Sequence, residues 1–482
     1  MVRTFALGAC VAATLSCLAR DTTAPVGVVL ITLDTTRADR LTPYGFMGAA
    51  MPHLDRLARE GVVFDRASSV APLTVPAHAS LFTGLLPSSH GVRENDSPPL
   101  SPQHMTLAET LRAHGFITAA VVGSGVLDPD RGLFQGFEHY SSVPATQRRG
   151  PQTGQRTAKA VVNEAISWLN RTANSRFFLW AHLYDPHRPY EPPEPFASRY
   201  AGDPYVGEIA YADSQIGRLV EALERSRLLD KSIVIVAGDH GESLGEHGER
   251  DHGIFVYESV LRVPLIIRGP EIEPRRISSV VRLVDVMPTI LDLLDQPQLL
   301  TDGVSLDAVM RGQPQDLEAY AESIYPLRFG WSPIRSLRDG RFKLIDAPRP
   351  ELYDLERDPF EQTNVYTDRP TTAAALSRRL TALAGGRSWS ESAVSRQAAP
   401  PPEVRERLAA VGYVSSPPSQ TERAHRQDAK DFVVENWVPD RQMNKGLGRA
   451  IGSGTVDVRG QKGSKPCARS FVPRASLPSC SS

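Results

Sequence analysis

The 482-residue chain has only four cysteines, Cys10, Cys17, Cys467 and Cys480, all close to one end or the other, so residues 18–466 contain no thiol. A sulfur-bound zinc or iron–sulfur centre, a cysteine nucleophile and an internal disulfide are therefore excluded from the body of the protein. Lysine is almost as scarce. Of seven lysines only Lys159, Lys231 and Lys343 precede residue 388, and the other 47 basic residues are arginines. An excess of charge is also missing: 54 basic against 55 acidic residues give −1, with no basic patch to hold nucleic acid or a lipid surface. What is present, 41% hydrophobic residues over this length, describes a globular chain large for a single domain.

Arg3 and the apolar stretch 5–18 fit an export signal, since about 14 apolar residues fall short of the ~20 that cross a bilayer. Cys17 loosely resembles a bacterial lipid-acceptor cysteine, and simple cleavage near Arg20 is the alternative. Residues 1–20 are expected to be a signal peptide or lipoprotein signal. The protein is then exported, periplasmic or anchored by an N-terminal lipid on the extracytoplasmic face of a bacterium.

From residue 25 to about 300, short apolar runs alternate with amphipathic segments, the pattern of βαβ crossovers in a parallel sheet. The pattern predicts strands at 26–33, 116–122, 177–183, 232–237 and 263–267, and helices at 52–60, 107–113, 159–170, 210–226 and 284–294. Residues 301–387 read as a smaller α+β subdomain, with a hairpin at 341–345 and 351–355 and a helix at 371–384. Residues 388–482 are rich in Ser, Pro, Gln and Arg and are expected to be a mostly disordered tail.

Unusual polar residues gather where expected strands end, which is where open α/β sheets bind ligands. Asp34 closes the first strand, and Asp239-His240 close the fourth and run into Gly241-Glu242. Adjacent Asp and His side chains can both reach one ion. Thr74 stands before an apolar helical stretch that also carries His78. A helix there would aim its N–H groups at an anion over the Thr74 hydroxyl, which suits a nucleophile; the plainer reading is a threonine cap.

The order of these motifs resembles the sulfatase-like members of the alkaline phosphatase superfamily. It is carried by Asp34-Thr35-Thr36-Arg37-Ala38-Asp39, Thr74-Val75-Pro76-Ala77-His78, Asp185-Pro186-His187-Arg188-Pro189-Tyr190 and Gly238-Asp239-His240-Gly241-Glu242, continues through Arg262-Val263-Pro264, and extends to Asp358-Pro359. The resemblance implies an alkaline-phosphatase-like fold and a hydrolase of phosphoric or sulfuric esters. It also exposes a departure. Sulfatases carry Cys or Ser at the position of Thr74, oxidised to formylglycine, and Arg at that of His78. A threonine cannot yield the aldehyde, and the active-site lysines are missing as well. The Thr-x-Pro-x-His pattern is instead similar to the phosphodiesterase branch, whose nucleophile is a metal-bound threonine. Asn95 and His252 fall where phosphonate monoester hydrolases place contacts to the transferred group.

On this resemblance Asp34, Thr74, Asp239 and His240 hold one divalent cation, Mn²⁺, Mg²⁺, Ca²⁺ or Zn²⁺. Thr74 attacks, and Asn95, His187 and His252 stabilise charge on the substrate oxygens. A second ion would draw on Asp185 and His187 with His182, His247 or His252; otherwise His182 and His187 read as loop histidines bonded to backbone. The expected substrate is a small-molecule, glycan or lipid ester. A sulfatase in substrate preference and a non-catalytic binding protein that keeps the fold are the alternatives.

Overall fold

Valine, isoleucine and leucine crowd into short runs that the chain buries as strands, because such side chains fit a pleat covered on both faces. In the computed structural model, which describes residues 26–143, 154–172, 175–384 and 427–433, nine strands form one sheet. They are β1 (Gly27–Leu33), β2 (Val62–Ser68), β3 (Ile117–Val122), β4 (His139–Ser141), β5 (Phe177–Leu183), β6 (Ser232–Gly238), β7 (Arg262–Val263), β8 (Leu265–Arg268) and β9 (Arg275–Arg282). Their order is β4-β3-β5-β1-β6-β8-β2-β7, with β9 paired to β2. The β4–β3, β3–β5, β5–β1, β1–β6 and β2–β9 pairs are parallel, and β8 runs antiparallel to both β6 and β2. This is the mainly parallel α/β sheet expected from the sequence. The signal segment 1–20 and, apart from 427–433, the tail 388–482 lie outside the described residues.

Period-two alternation assigns the two faces of the sheet. Val28, Leu30, Phe178, Trp180, Ile233 and Ile235 share one core with helices Thr74–Thr83, Leu107–Ala113 and Val286–Leu293. Val29, Ile31, Leu179, Val234 and Val236 share the other with helices Pro52–Glu60, Ala158–Thr172 and Pro204–Arg225. Leu33 of β1 stands level with Leu183 of β5 and Gly238 of β6. The residues that follow these strands therefore emerge together at one carboxyl edge.

Four differences from expectation have local causes. The strand foreseen at 263–267 is split at Pro264, which has no N–H for a ladder, into β7 and β8. The helix foreseen from 210 begins at Pro204, where Asp203 caps it by accepting the Val206 N–H at 3.2 Å. The helix foreseen at 284–294 is a 3₁₀ turn, Leu283–Asp285, followed by Val286–Leu293. Strands β2 and β9 were not foreseen, because Asp65 and Arg66 interrupt the apolar pattern of one and three arginines frame the other.

The hairpin of the C-terminal subdomain belongs to a separate four-stranded antiparallel sheet, β10 (Ala319–Ser323), β11 (Ile334–Arg338), β12 (Phe342–Asp346) and β13 (Glu351–Asp354), ordered 10-11-12-13. Leu376 and Leu380 of helix Pro370–Leu383 pack on it through Leu337, Leu344 and Leu352. Among the described residues no helix is long and apolar enough to cross a membrane.

Candidate active site

Asp34 follows β1, and Asp239 and His240 follow β6; all three are fully buried. Asp239 Oδ1 accepts the backbone N–H of Thr35 at 3.2 Å and of His240 at 2.7 Å, which fixes the carboxylate. Asp239 Oδ2 and both oxygens of Asp34 have no hydrogen-bond partner among the described residues. His240 Nδ1 donates to the Gly241 carbonyl at 3.0 Å, so its Nε2 lone pair faces Asp239 Oδ2 at 3.6 Å and Asp34 Oδ1 at 3.7 Å. A Cβ on Gly241 would stand 2.2 Å from the Ser259 carbonyl oxygen, so only glycine permits this approach. Burial first, and the charge of Asp239 second, push the Asp34 carboxyl well above its usual range. Burial pushes Asp239 up to about 6. Bare carboxylate oxygens and an imidazole nitrogen turned towards one another out of water are the donor set of a divalent cation, and these residues fit one.

Thr74 opens helix Thr74–Thr83, all of whose residues are buried, and its Oγ1 lies 3.2 Å from His240 Nε2. The capping reading of Thr74 does not hold: the N-cap is Leu73, without a side-chain bond. The free Val75 N–H is met at 2.9 Å by Asn95 Oδ1, which leaves Asn95 Nδ2 buried, without a hydrogen-bond partner among the described residues, beside the start of the helix. His78 Nδ1 donates to the Thr74 carbonyl at 2.8 Å. Its Nε2 accepts from the Thr32 hydroxyl at 3.1 Å, which accepts from Trp180 Nε1 at 2.9 Å. Both ring nitrogens of His78 are thus occupied, burial keeps it neutral, and it holds the backbone of Thr74.

His252 Nδ1 lies 3.1 Å from Glu242 Oε1 and 3.0 Å from Asp251 Oδ1. Burial opposes its charge, but the Glu242 and Asp251 carboxylates outweigh burial and hold the imidazole protonated well above the ordinary histidine range. The His240 and His252 rings are 4.5 Å apart and those of His252 and His187 5.2 Å, so the three stand in file. His187 Nδ1 is 2.7 Å from both the Tyr184 hydroxyl and the Arg188 carbonyl, and burial pushes its pKa down to about 3.

Of the residues considered for a second ion, His187 and His252 stand together, whereas Asp185, His247 and His182 are engaged or placed elsewhere. Asp185 Oδ2 instead accepts the Ala158 N–H at 2.7 Å at the start of a helix. His247 stacks on Tyr257 with ring centroids 3.6 Å apart, near Glu351 and Lys343. His182 is not a loop histidine. It lies within β5, level with Thr32 of β1, and neither of its ring nitrogens has a hydrogen-bond partner in another described residue.

Sequence reasoning missed the residues that hold this edge in place. Thr35 has φ 47°, a left-handed conformation that a β-branched residue rarely adopts. It is kept there by its N–H on Asp239, its hydroxyl on the Pro186 carbonyl at 3.1 Å and its carbonyl on the Tyr205 hydroxyl at 2.7 Å. Buried Arg37 ties the β1 loop to the β6 loop, reaching the Glu242 carbonyl at 3.1 Å and Glu246 at 2.7 Å. On either side of Asn95, Arg93 pairs with Glu322 of β10 at 2.7 Å and Arg328 pairs with Glu94 at 2.8 Å and with Asp96. No local motif signals these contacts, because the partners lie far apart in the chain.

A mainly parallel sheet with carboxylates, an imidazole and a hydroxyl converging at its carboxyl edge defines an alkaline-phosphatase-like hydrolase. The Sulfatase family profile matches residues 27–296, and that of the N-sulphoglucosamine sulphohydrolase C-terminal region matches residues 245–384. The chain belongs to the Sulfatase family and is an ester hydrolase. It is 28% identical to the choline-sulfatase of Rhizobium meliloti, over 71% of this chain and 83% of that protein. With the N-acetylglucosamine-6-O-sulfatase of Bacteroides thetaiotaomicron it shares 24% identity, over 72% and 84%. The phosphonate monoester hydrolase of Agrobacterium radiobacter has the same fold, with TM-score 0.65 and 23% identity, covering 75% of this chain and 96% of that one.

Proposed function

We propose that the chain is an exported, metal-dependent hydrolase that cleaves phosphate or phosphonate esters with Thr74 as the nucleophile. The observation that carries this reading is the Thr74 hydroxyl, 3.2 Å from His240 Nε2 at the head of a buried helix, beside carboxylate oxygens that no described residue hydrogen-bonds. When held by Asp34, Asp239, His240 and the Thr74 hydroxyl, a divalent cation supplies the positive charge that lowers the hydroxyl pKa and offsets charge on the transferred group. Thr74 Oγ1, its proton released to solvent, forms its bond to phosphorus while the bond to the leaving oxygen, opposite it, breaks, and that oxygen departs as an anion that takes a proton from water. Asn95 Nδ2 and the His252 imidazolium stabilise the non-bridging oxygens, and His187 faces the departing oxygen. Water attacking the same phosphorus frees Thr74 and completes the cycle.

Sulfate esters are the second substrate class, favoured by the relatives named as sulfatases of choline and of N-acetylglucosamine. Those names also support a small-molecule or glycan leaving group. Export rests on the signal-like residues 1–20, with Cys17 as the candidate lipid acceptor. The test compares kcat/KM for p-nitrophenyl phosphonate, phosphate diester, phosphate monoester and sulfate with and without added divalent cation. A phosphorus ester is expected to lead. A Thr74→Ala protein with wild-type turnover would overturn the nucleophile. Absence of metal-dependent turnover on every ester, with no metal-induced rise in melting temperature, would identify a non-catalytic protein that keeps the fold.

A further inference from the structure

The face of the sheet that carries Trp180 also carries His182, two residues further along β5 and level with Thr32. Its imidazole is completely buried, yet no other described residue hydrogen-bonds to either ring nitrogen. His182 Nε2 points at Asp34, 3.5 Å from Oδ2, while Oδ1 of the same carboxylate is the oxygen nearest His240. Ligand atoms of His182 and Asp239 lie within 4.8 Å of each other. Burying an imidazole that no other described residue hydrogen-bonds, beside a carboxylate in the same condition, is costly, and folded chains avoid it unless something absent from the polypeptide completes the set.

We infer that His182 is a further ligand of the cation proposed above at Asp34, Asp239, His240 and Thr74, an inference that rests on that reading of the site. Ligand atoms of His182, His78 and Asp239 lie within 4.8 Å of one another, as do those of Asp34, Asp239 and His240, so Asp239 is common to both groups; a separate ion at His182 would need a nitrogen of His78. His78, the nearest other imidazole, has both nitrogens engaged by Thr74 and Thr32, and the Asp185 carboxylate is bonded to Ala158. With His182 the set holds two imidazole nitrogens against two carboxylates and one hydroxyl. Imidazole favours Zn²⁺, Mn²⁺ and their transition-metal neighbours, whereas Mg²⁺ and Ca²⁺ gain little from nitrogen donors. His182 therefore gives this site its preference for a transition ion.

The experiment measures binding rather than turnover. Metal-stripped full-length protein is titrated with Zn²⁺, Mn²⁺, Mg²⁺ and Ca²⁺ by calorimetry and by the shift in melting temperature. Visible absorption of the Co²⁺-loaded protein serves as a signature of nitrogen donors. The wild type is expected to bind Zn²⁺ and Mn²⁺ more tightly than Mg²⁺ and Ca²⁺. In His182→Phe, which keeps a flat ring without donors, that ratio should fall by about 10-fold or more while Mg²⁺ affinity changes little, and the Co²⁺ spectrum should shift. His182→Asn repeats the measurement should the phenylalanine not be accommodated. Asp239→Asn is expected to weaken all four ions alike. An unchanged Zn²⁺-to-Mg²⁺ ratio and Co²⁺ spectrum in a folded His182 variant would overturn the inference and leave the cation site standing. A wild type that binds none of the four ions would overturn both.

Discussion

The carboxyl edge of β1 and β6 and the seam under the small sheet both remove charge from water, and they treat it differently. At the edge, Asp34 and the Oδ2 of Asp239 face inward with no hydrogen-bond partner among the described residues. At the seam, Lys343, 1% exposed, sets its Nζ 3.0 Å from Glu258 and 2.9 Å from Glu361, and Glu258 also pairs with Arg338. Desolvation opposes ionisation in both places. The seam answers it with cations from the chain: Arg338 and Lys343 hold Glu258 down at about 2 despite its burial, while burial still pushes Glu361, which shares Lys343, up to about 7. The edge has no such answer, and its carboxylates are pushed up by burial. Buried charge alone therefore says nothing about function. What marks a ligand at the edge is the imidazole and the hydroxyl that converge on carboxylate oxygens no described residue hydrogen-bonds.

Breaking the edge should abolish chemistry and breaking the seam should cost stability. The largest effect is expected from Thr74→Ala, a loss of at least about 10³-fold in kcat/KM with the fold retained, read by steady-state kinetics and circular dichroism. Asn95→Ala should lower kcat by about 10²–10³-fold, because Nδ2 acts on charge that develops in the transition state. At the seam, Lys343→Met takes from Glu361 the cation it pairs with and leaves it beside Glu258, which keeps Arg338. It should cost about 3–5 kcal/mol in denaturant unfolding and leave kcat intact below the melting temperature. Adding Glu361→Gln should restore part of that loss.

The smallest effect concerns pH. Asp239 titrates near 6 in the folded metal-free chain against 3.8 for an ordinary aspartate, so below about pH 6 the folded state holds a proton that the unfolded state has given up. This pair of carboxylates thus makes the metal-free protein more stable as pH falls from 7 towards 4. The loaded protein moves the other way, because protonating Asp34 and Asp239 expels the cation. The gap in melting temperature with and without EDTA should narrow steadily between pH 7.5 and 5. A gap independent of pH would show that these two carboxylates are not the ones a cation keeps ionised.

Much of this was legible in the sequence where chemistry and periodicity are local. β1, β5 and β6 announce themselves as unbroken apolar runs, and Asp34 and Asp239-His240 stand where those runs stop. Thr74 could be singled out because a hydroxyl ahead of an apolar helix is a compact pattern. Other features depend on distant partners. His182 looks like one more polar residue at the end of a strand until its pairing with Thr32 of β1 brings Asp34, two residues on, to 3.5 Å from its Nε2. Asp185 looks available to a second ion until a helix begins at Ala158, whose N–H it accepts. β9 is polar enough, with Arg275, Arg276 and Arg282, to hide among loops, and only its pairing with β2 makes it a strand. Thr35 gives no sign of its left-handed backbone, since nothing in a threonine foretells that conformation.

The grip on Asn95 has a consequence for the order in which each molecule matures. Arg93 and Glu322 are separated by 229 positions, and Arg328 and Glu94 by 234. During synthesis the Asn95 loop leaves the ribosome long before the residues that clamp it, and β6, bearing Asp239 and His240, is also complete before Glu322 arrives. The loop that carries Asn95 is thus held from far along the chain, by Glu322 of β10 and by Arg328 of the turn that follows it.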